Sequence, residues 1–469
     1  MKNISDETKV FIKENQEILN QQKEETPDWI YYKDNGDSKV LPNKLGYAIM
    51  KEIPIIRTGS LTYGARFQID KGIWRVDDLN DFLDAYITEK LESVGKWSTK
   101  TLSDVKRFIM IKSYDTTTKD NPFNNSSPNL VSFQNGTYNF KTDKLEKHDP
   151  ENYIFQSHQY PINVEDTKRP VKTLDWLKDL TGDEMSARHL SEMIGYCFYR
   201  SYEPFQAIFI LHGKGKNGKS VFINHVIKML NDENVSTVNL SDLGNKQNRF
   251  ATSQLFAKNA NLFADIEESF ISQTGLIKSL TGGDYLMAER KGKDGFNFKN
   301  FAKLIFSANN LPTWSDVSSG WLRRLNVIPF TKVIDDDFIR KHDLKAIEEE
   351  IPVFTLYCMR IFYEALKRKE FTVSEPMAKA KEEWIKDIDH ISRFIEEYCE
   401  IDKESKTGES SKKIYDKYVD FCFDENLKAL SQPKFTKDLE KYGIYKKKQS
   451  VSGIRVWRYI GLVLQEEII

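Results

Sequence analysis

The sequence predicts an α/β protein in three parts: a central phosphate-loop domain built on a parallel sheet, an α+β domain ahead of it, and a winged-helix domain behind it. Three observations carry that expectation. The apolar run AIFILHG (207–213) passes through GKGKNGKS into VFINHVIKML, the strand, glycine turn and amphipathic helix of a phosphate-binding loop. Two more apolar runs, NLFAD (261–265) and AKLIFSANN (302–310), read as buried strands of the same sheet. Near the carboxyl end, three helical patterns precede two strand-like runs, GIYKKKQSV and GIRVWRYIGL, joined through Ser452-Gly453.

The elements follow in chain order. Residues 1 to about 110 alternate charged amphipathic stretches with aromatic clusters such as WIYY (29–32), a mixture of helices and short strands. Around SPNLVSFQNGTYNFKTDKLEKHDP (127–150) the pattern turns to short β runs, broken by Asn135-Gly136, a strong hairpin signal, and by Thr142-Asp143. The first domain is placed at 1–165. VKTLDWLKDLTGDEMSARHLSEMIGYCFYR then carries apolar residues at helical spacing, split into two helices by Thr181-Gly182-Asp183. It opens the central domain, placed at 166–385. Beyond about residue 335 the chain turns helical and charged, and DKESKTGESS near residue 402 reads as a linker. The winged-helix domain is placed at 386–469.

A chain of 469 residues exceeds what one hydrophobic core organises, and 39% hydrophobic with 12% aromatic residues excludes a disordered chain. The 69 basic and 70 acidic side chains cancel to a formal charge of -1, so any attraction to nucleic acid must be local. MKNISDETKVFIKENQEILNQQ lacks the apolar core of a signal peptide, and no stretch approaches the roughly 20 apolar residues of a membrane span. A cytoplasmic protein with no membrane partner is expected. Cys197, Cys358, Cys399 and Cys422 are widely separated, without paired CxxC spacing, which argues against a zinc site or disulfide framework and predicts buried thiols.

Glycines 213, 215 and 218 let the backbone curl so that successive N–H groups face phosphate oxygens, while the following helix presents its positive end. Gly213, Lys214, Gly215, Lys216, Asn217, Gly218, Lys219, Ser220 and Val221 form the candidate cradle for ATP. Lys219 reaches the β- and γ-phosphates, and the Ser220 hydroxyl ligates Mg²⁺. The plain alternative is a glycine turn with an accidental lysine. Hydrolysis also needs a carboxylate at the end of a neighbouring strand. Asp265 is the candidate on the metal side, and either Glu267 or Glu268 orients the attacking water, unless the three merely cap a helix. Asn309, at the tip of the third strand, is the candidate γ-phosphate sensor, ahead of its neighbour Asn310. Arg323 and Arg324 sit just before a buried apolar run and need partners there. A γ-phosphate on a neighbouring subunit is one such partner, with Arg324 the preferred finger; a local salt bridge is the other.

The order of GxGxNGKS, the acidic strand end DIEE, IKSLTGGDYLMAERKGKDGFNFKNFAKLIFSANNLP and WLRRLNVIPF closely resembles the superfamily 3 (AAA+) helicase domain of the phage, plasmid and poxvirus primase-helicase family, over about residues 175–335. WRVDD and VSFQNGTYNFKTDKLEKHDP look like the domain that precedes the helicase in that family. Nothing ahead of residue 110 looks like a primase module. In size and layout the chain is closer to the stand-alone replication initiator helicases of phage-related chromosomal islands. The resemblance implies a homo-hexameric ring that translocates on single-stranded DNA, 3′-to-5′, and a primase or host replication protein as a further partner.

Two surfaces are candidates for DNA. GGDYLMAERKGKDGFNF suggests a hairpin with Arg290, Lys291 and Lys293 around its tip, where lysines in a ring's channel grip phosphates by charge; such a tip can equally be just solvated. Lys434, Lys437 and Lys441 lie along the last helical pattern, and Lys446, Lys447, Lys448, Arg455 and Arg458 lie on the wing. That unit suits origin duplex DNA, although winged helices also bind proteins. The expected function is an ATP-dependent DNA helicase and replication initiator. A nucleotide-switched DNA-binding regulator without processive unwinding is the alternative, and a small-molecule phosphotransferase indifferent to DNA is a third.

Overall fold

The computed structural model describes residues 27–465 apart from 59–60, 77, 116–121, 245–247, 249, 267–269, 272–273, 291–292, 315, 317, 403, 426, 428 and 452–453. At its centre is a five-stranded parallel sheet: β1 (Ile208–His212), β2 (Val235–Ser236), β3 (Ala260–Ile266), β4 (Lys303–Ala308) and β5 (Leu325–Pro329), in the order β2-β3-β4-β1-β5. From β1 the chain crosses to the far edge, returns strand by strand to β4 beside β1, and then passes over to β5 on the other side. The adjacent strands β1 and β4 are therefore left in opposite directions, and in such sheets the crevice at the carboxyl ends of those strands is where ligands bind.

The strands are mainly apolar because both faces are covered. Phe209 and Leu211 of β1 join one core with Leu262, Ile305 and Ile328, whereas Ile208 and Ile210 join a second core with Leu304, Phe306 and Val327. Fully burying each such side chain contributes about 1.5–3 kcal/mol. The first core also takes in the helices Val171–Thr181 and Glu184–Phe198, separated at Gly182 as the sequence predicts, and the long helix Ile351–Arg368. At the amino end of β4, Lys303 is fully buried; its ammonium donates to the carbonyls of Tyr199 at 2.6 Å and Phe301 at 2.5 Å and lies 4.4 Å from the Tyr196 ring centroid.

Ahead of the sheet, the helices Pro42–Glu52, Leu79–Glu92 and Thr99–Lys112 pack around Leu45, Leu83 and Ile109, next to an antiparallel sheet of Ile55–Thr58, Leu61–Gln68 and Ile73–Arg75. A four-stranded sheet follows, whose Phe133 and Tyr138, with Phe140 just beyond its second strand, enter the first core of the central sheet. The predicted hairpin is there with its turn displaced by one residue: Phe133 pairs with Gly136, so Gln134 and Asn135 form the turn. The Asn135 side chain explains the shift, because its carbonyl accepts from the Ile162 N–H and its amide donates to the Ile162 carbonyl.

After the long helix, Glu375–Ile388 lays Trp384 against Trp314, with ring centroids 4.5 Å apart. The helices His390–Tyr398, Ser411–Asp424 and Gln432–Leu439 then surround a third core of Phe394, Tyr418, Phe421 and Phe435, beside an antiparallel sheet in the order Gly408–Ser410, Ile454–Ile460, Tyr445–Val451. The expected linker near residue 402 is a correction. Gly408–Ser410 is a strand of that sheet and Cys399–Ile401 pairs with Leu462–Leu464, so the polar stretch lies within the unit. All four cysteines are buried free thiols. Among the described residues, no helix is long and apolar enough to cross a membrane.

Candidate nucleotide site

The glycine-rich loop leaves the carboxyl end of β1 and is tied on both sides. Gly213 N–H donates to the Ala308 carbonyl of β4 at 3.2 Å, the His212 carbonyl accepts from Phe330 N–H at 2.7 Å, and the Lys216 carbonyl accepts from Ile334 N–H at 2.8 Å. Two glycines are required by geometry. A Cβ on Gly213 would lie 2.2 Å from Asn217 Nδ2 and 2.4 Å from the Phe330 carbonyl oxygen, and Gly218 adopts φ +82° just before the helix Lys219–Leu230. That helix buries Phe222, Ile223, Val226 and Met229, the helical spacing that fixes its amino end at the loop. Lys214, Gly215, Lys216, Ser220 and Val221 are exposed, while Asn217 is buried and donates to the Phe330 carbonyl.

Lys219 is only 5% exposed. Its ammonium donates to the Gly213 carbonyl, to Asn217 Oδ1 at 3.0 Å and to Asn309 Oδ1 at 3.1 Å. Burial holds its pKa below the ordinary lysine value, and Asp265 opposes that shift. The same Asn309 donates through Nδ2 to Asp265 Oδ1 at 2.9 Å. One amide thus links the loop cation to the strand-end carboxylate. The strand order explains how: β4 lies between β1 and β3, so its tip stands between the two charges.

The strand does not end at Asp265, as the sequence suggests, but runs on to Ile266. Its pairing with β4 shifts between Phe263 and Ile266, and Asp265 takes φ +60° inside that irregularity. A bulge re-aims a side chain, and a left-handed non-glycine residue costs on the order of 1–3 kcal/mol unless its surroundings hold it. Ser307 does so by accepting from the Asp265 N–H at 3.2 Å. Ser307 and Ile334, which line the cavity of about 460 Å³ together with Ser220, Asp265 and Asn309, were not singled out by the sequence. The signal for Ser307 is its place two residues before Asn309, at the end of the same apolar run.

The donor set fits a nucleoside triphosphate with a hard divalent cation. A hydroxyl and a carboxylate, Ser220 and Asp265, are the oxygen ligands Mg²⁺ takes, and the buried ammonium among neutral acceptors suits phosphate. Glu267, Glu268 and Lys291 lie outside the described residues, as do the side chains of Arg290 and Lys293.

The arginine pair is not at this cavity. Arg324 immediately precedes β5, and its carbonyl accepts from Ile208 N–H at 2.7 Å, at the amino end of the sheet and roughly 13 Å of strand from the loop. Arg324 is 7% exposed and donates to Thr281 Oγ1 at 3.1 Å and to the Gly320 carbonyl. Arg323 is exposed and donates to Gln206 Oε1. Among the described residues neither arginine forms an ion pair, so the partners that sequence reasoning demands are uncharged. Of the other predicted residues, Lys434 and Lys437 are exposed on the helix Gln432–Leu439, Lys441 lies past its end and pairs with Asp438 at 2.7 Å, and Lys446, Lys447, Lys448, Arg455 and Arg458 fall on two paired strands.

Residues 57–182 match a family described as "D5 N terminal like", and residues 211–324 match a "Family of unknown function (DUF5906)". Among curated proteins, "Putative helicase L207/L206" of Acanthamoeba polyphaga mimivirus is 23% identical over 308 residues, covering 61% of this chain and 32% of that protein. "Putative helicase 184R" of Invertebrate iridescent virus 6 is 27% identical over 225 residues, covering 44% of this chain and 22% of that protein. The chain thus spans a third or less of the length of these relatives. Among solved structures, the apo NrS-1 C-terminal region aligns at a TM-score of 0.49 and 13% identity, covering 90% of this chain and 99% of that one. The family and sequence matches support a likeness to the phage and viral primase-helicase family.

Proposed function

We propose that the chain is an ATP-dependent DNA helicase and replication initiator of a phage or other mobile element, of the superfamily 3 AAA+ kind, which works as a hexameric ring on single-stranded DNA and recognises and melts its origin. The observation that carries this reading is the line from Lys219 through Asn309 to Asp265 at the carboxyl edge of the sheet. The viral relatives named as helicases add to it.

In this reading the loop N–H groups and Lys219 bind the phosphates, Asn309 orients the γ-phosphate, and Glu267 or Glu268 holds the attacking water. Ser220 and Asp265 hold Mg²⁺, which when bound neutralises charge on the transferring phosphoryl group. The arginine pair acts in trans, a role supported by its place at the opposite edge of its own sheet, away from its own cavity. Exposure favours Arg323 as the finger over the buried Arg324 that the sequence prefers. The hairpin carrying Arg290, Lys291 and Lys293 grips the translocating strand, and the unit of residues 386–469, read as a winged helix, contacts origin duplex. Residues 1–165 and 166–385 are the preceding α+β domain and the motor.

The test is strand separation on a forked duplex, with nucleotide and tail polarity varied. Unwinding with ATP on a 3′-tailed fork, absent with a non-hydrolysable analogue and in Lys219→Ala, supports the proposal. Tight duplex binding without any strand separation would leave the nucleotide-switched regulator instead.

A further inference from the structure

The stretch Tyr445–Ile460 carries five cations and no carboxylate. On the sequence these cations are one basic patch; the register divides them. Lys446 lies opposite Tyr459, Lys448 opposite Trp457 and Ser450 opposite Arg455, whereas Lys447 lies opposite Arg458 and Gln449 opposite Val456. Directly opposed residues point to the same side of an antiparallel pair and successive ones alternate, so Lys446, Lys448, Arg455 and Trp457 share one face and Lys447 and Arg458 the other.

The two faces differ in what holds them. At the base of the first face, Tyr459 is fully buried beneath the helix Gln432–Leu439, and its hydroxyl is 2.6 Å from Thr436 Oγ1. Beyond the helix that face is open, and Trp457 remains 48% exposed although it is a large apolar side chain. Lys448 and Lys446 lie over its ring, 5.0 and 5.6 Å from the centroid. On the second face two side chains are tied to the Lys406–Glu409 stretch, while Lys447 is exposed: Gln449 Nε2 donates to the Lys406 carbonyl at 2.6 Å, and Arg458 donates to the Gly408 carbonyl and lies 3.9 Å from Glu409.

We propose that duplex DNA binds the wing through the first face alone, with Lys446, Lys448 and Arg455 on the phosphates and Trp457 as a positioning residue that holds the two lysines toward them. This rests on the reading of the carboxyl-terminal unit as a DNA-binding module. Charge complementarity names the partner: an acid-free strand pair with clustered ammoniums beside two exposed helix lysines, Lys434 and Lys437, matches a phosphate backbone. A cation resting on an indole keeps its outward donors, and the ring restricts rotamers the lysine would otherwise lose on binding.

The experiment is duplex binding by the full-length protein, read by fluorescence anisotropy across a salt series, with circular dichroism to verify each variant's fold. Lys446→Ala with Lys448→Ala should weaken binding at least tenfold at fixed salt and flatten the log–log salt slope by about 1.8, two phosphate contacts at ~0.9 each. Lys447→Ala should change affinity less than twofold. Trp457→Ala should weaken binding severalfold with the slope nearly intact, and Trp457→Phe should restore it, which loss of a charge contact would not produce. If Lys447→Ala costs as much as the double substitution, the one-face assignment is overturned while the DNA-binding reading stands. If none of these variants, nor Lys434→Ala with Lys437→Ala, alters duplex binding, the broader reading of this unit fails. A wing that prefers single strands to duplex would overturn the choice of partner.

Discussion

Replacing Asn309 with alanine removes the side chain that, among the described residues, hydrogen-bonds both Lys219 and Asp265, and the structure sets the size of the effect. Two hydrogen bonds to charged groups disappear, at 3.1 and 2.9 Å. Bonds of this kind contribute about 1.5–3 kcal/mol each when dry, but Asn309 is exposed at the strand tip, so about 1 kcal/mol each is the realistic figure. The sum, about 2 kcal/mol, corresponds to roughly 30-fold in rate. Fold stability should hardly move, because water can replace an amide at an exposed tip. Steady-state ATP hydrolysis is the assay, with kcat and KM separated. The expected result is a kcat lowered roughly 30-fold and a KM within about threefold, since the amide orients a reacting phosphate and the rest of the loop still binds it. An unchanged kcat would show that the link between cation and carboxylate takes no part in turnover.

Other outcomes follow from single residues. Lys303 is buried among carbonyls and tyrosine rings, and burial pushes its pKa down to about 7 from an unfolded value near 10.5. The unfolded chain therefore holds that proton through a pH range in which the folded chain has lost it. The penalty is full below pH 7 and is relieved as pH rises, by about 2 kcal/mol between pH 7 and 9. Urea titrations at both values should show that gain in the native protein and its absence in Lys303→Met; equal pH dependence in the two would refute the assignment. Gly213→Ala places a Cβ against the Phe330 carbonyl, which cannot yield, so nucleotide affinity should fall at least tenfold by fluorescent-nucleotide titration while the far-ultraviolet spectrum is retained. Arg323→Ala should bind nucleotide and fail to hydrolyse it, and mixing it with Lys219→Ala should restore some activity in co-assembled rings; no rescue would count against action in trans.

The strand, glycine turn and helix around Lys219 were legible because each requirement is local: an apolar strand, glycines at fixed spacing, and a helix whose apolar residues recur at 3.6. Asp265, Asn309 and Lys219 were each found at a strand tip or loop for the same reason. Their mutual arrangement was not legible, since nothing in the sequence says that β4 separates β1 from β3. The bulge at Asp265 was hidden because a run such as NLFAD has no alternation whose phase a bulge could break. Arg323 and Arg324 look equivalent in sequence; packing of Arg324 against Thr281 and the Gly320 carbonyl makes one inward and the other exposed. The basic strand pair at the carboxyl end read as one patch until the pairing Lys448↔Trp457 fixed its register. The stretch near residue 402 misled because its polarity is that of a linker, while its hydrogen bonds belong to a sheet edge.

The most direct test of the account is the rate of ATP hydrolysis by the full-length protein with and without single-stranded DNA, measured alongside Asp265→Asn. The account predicts Mg²⁺-dependent hydrolysis that single-stranded DNA accelerates, and its loss in the variant with nucleotide binding retained. Hydrolysis that ignores DNA, or that survives Asp265→Asn at the native rate, would contradict it.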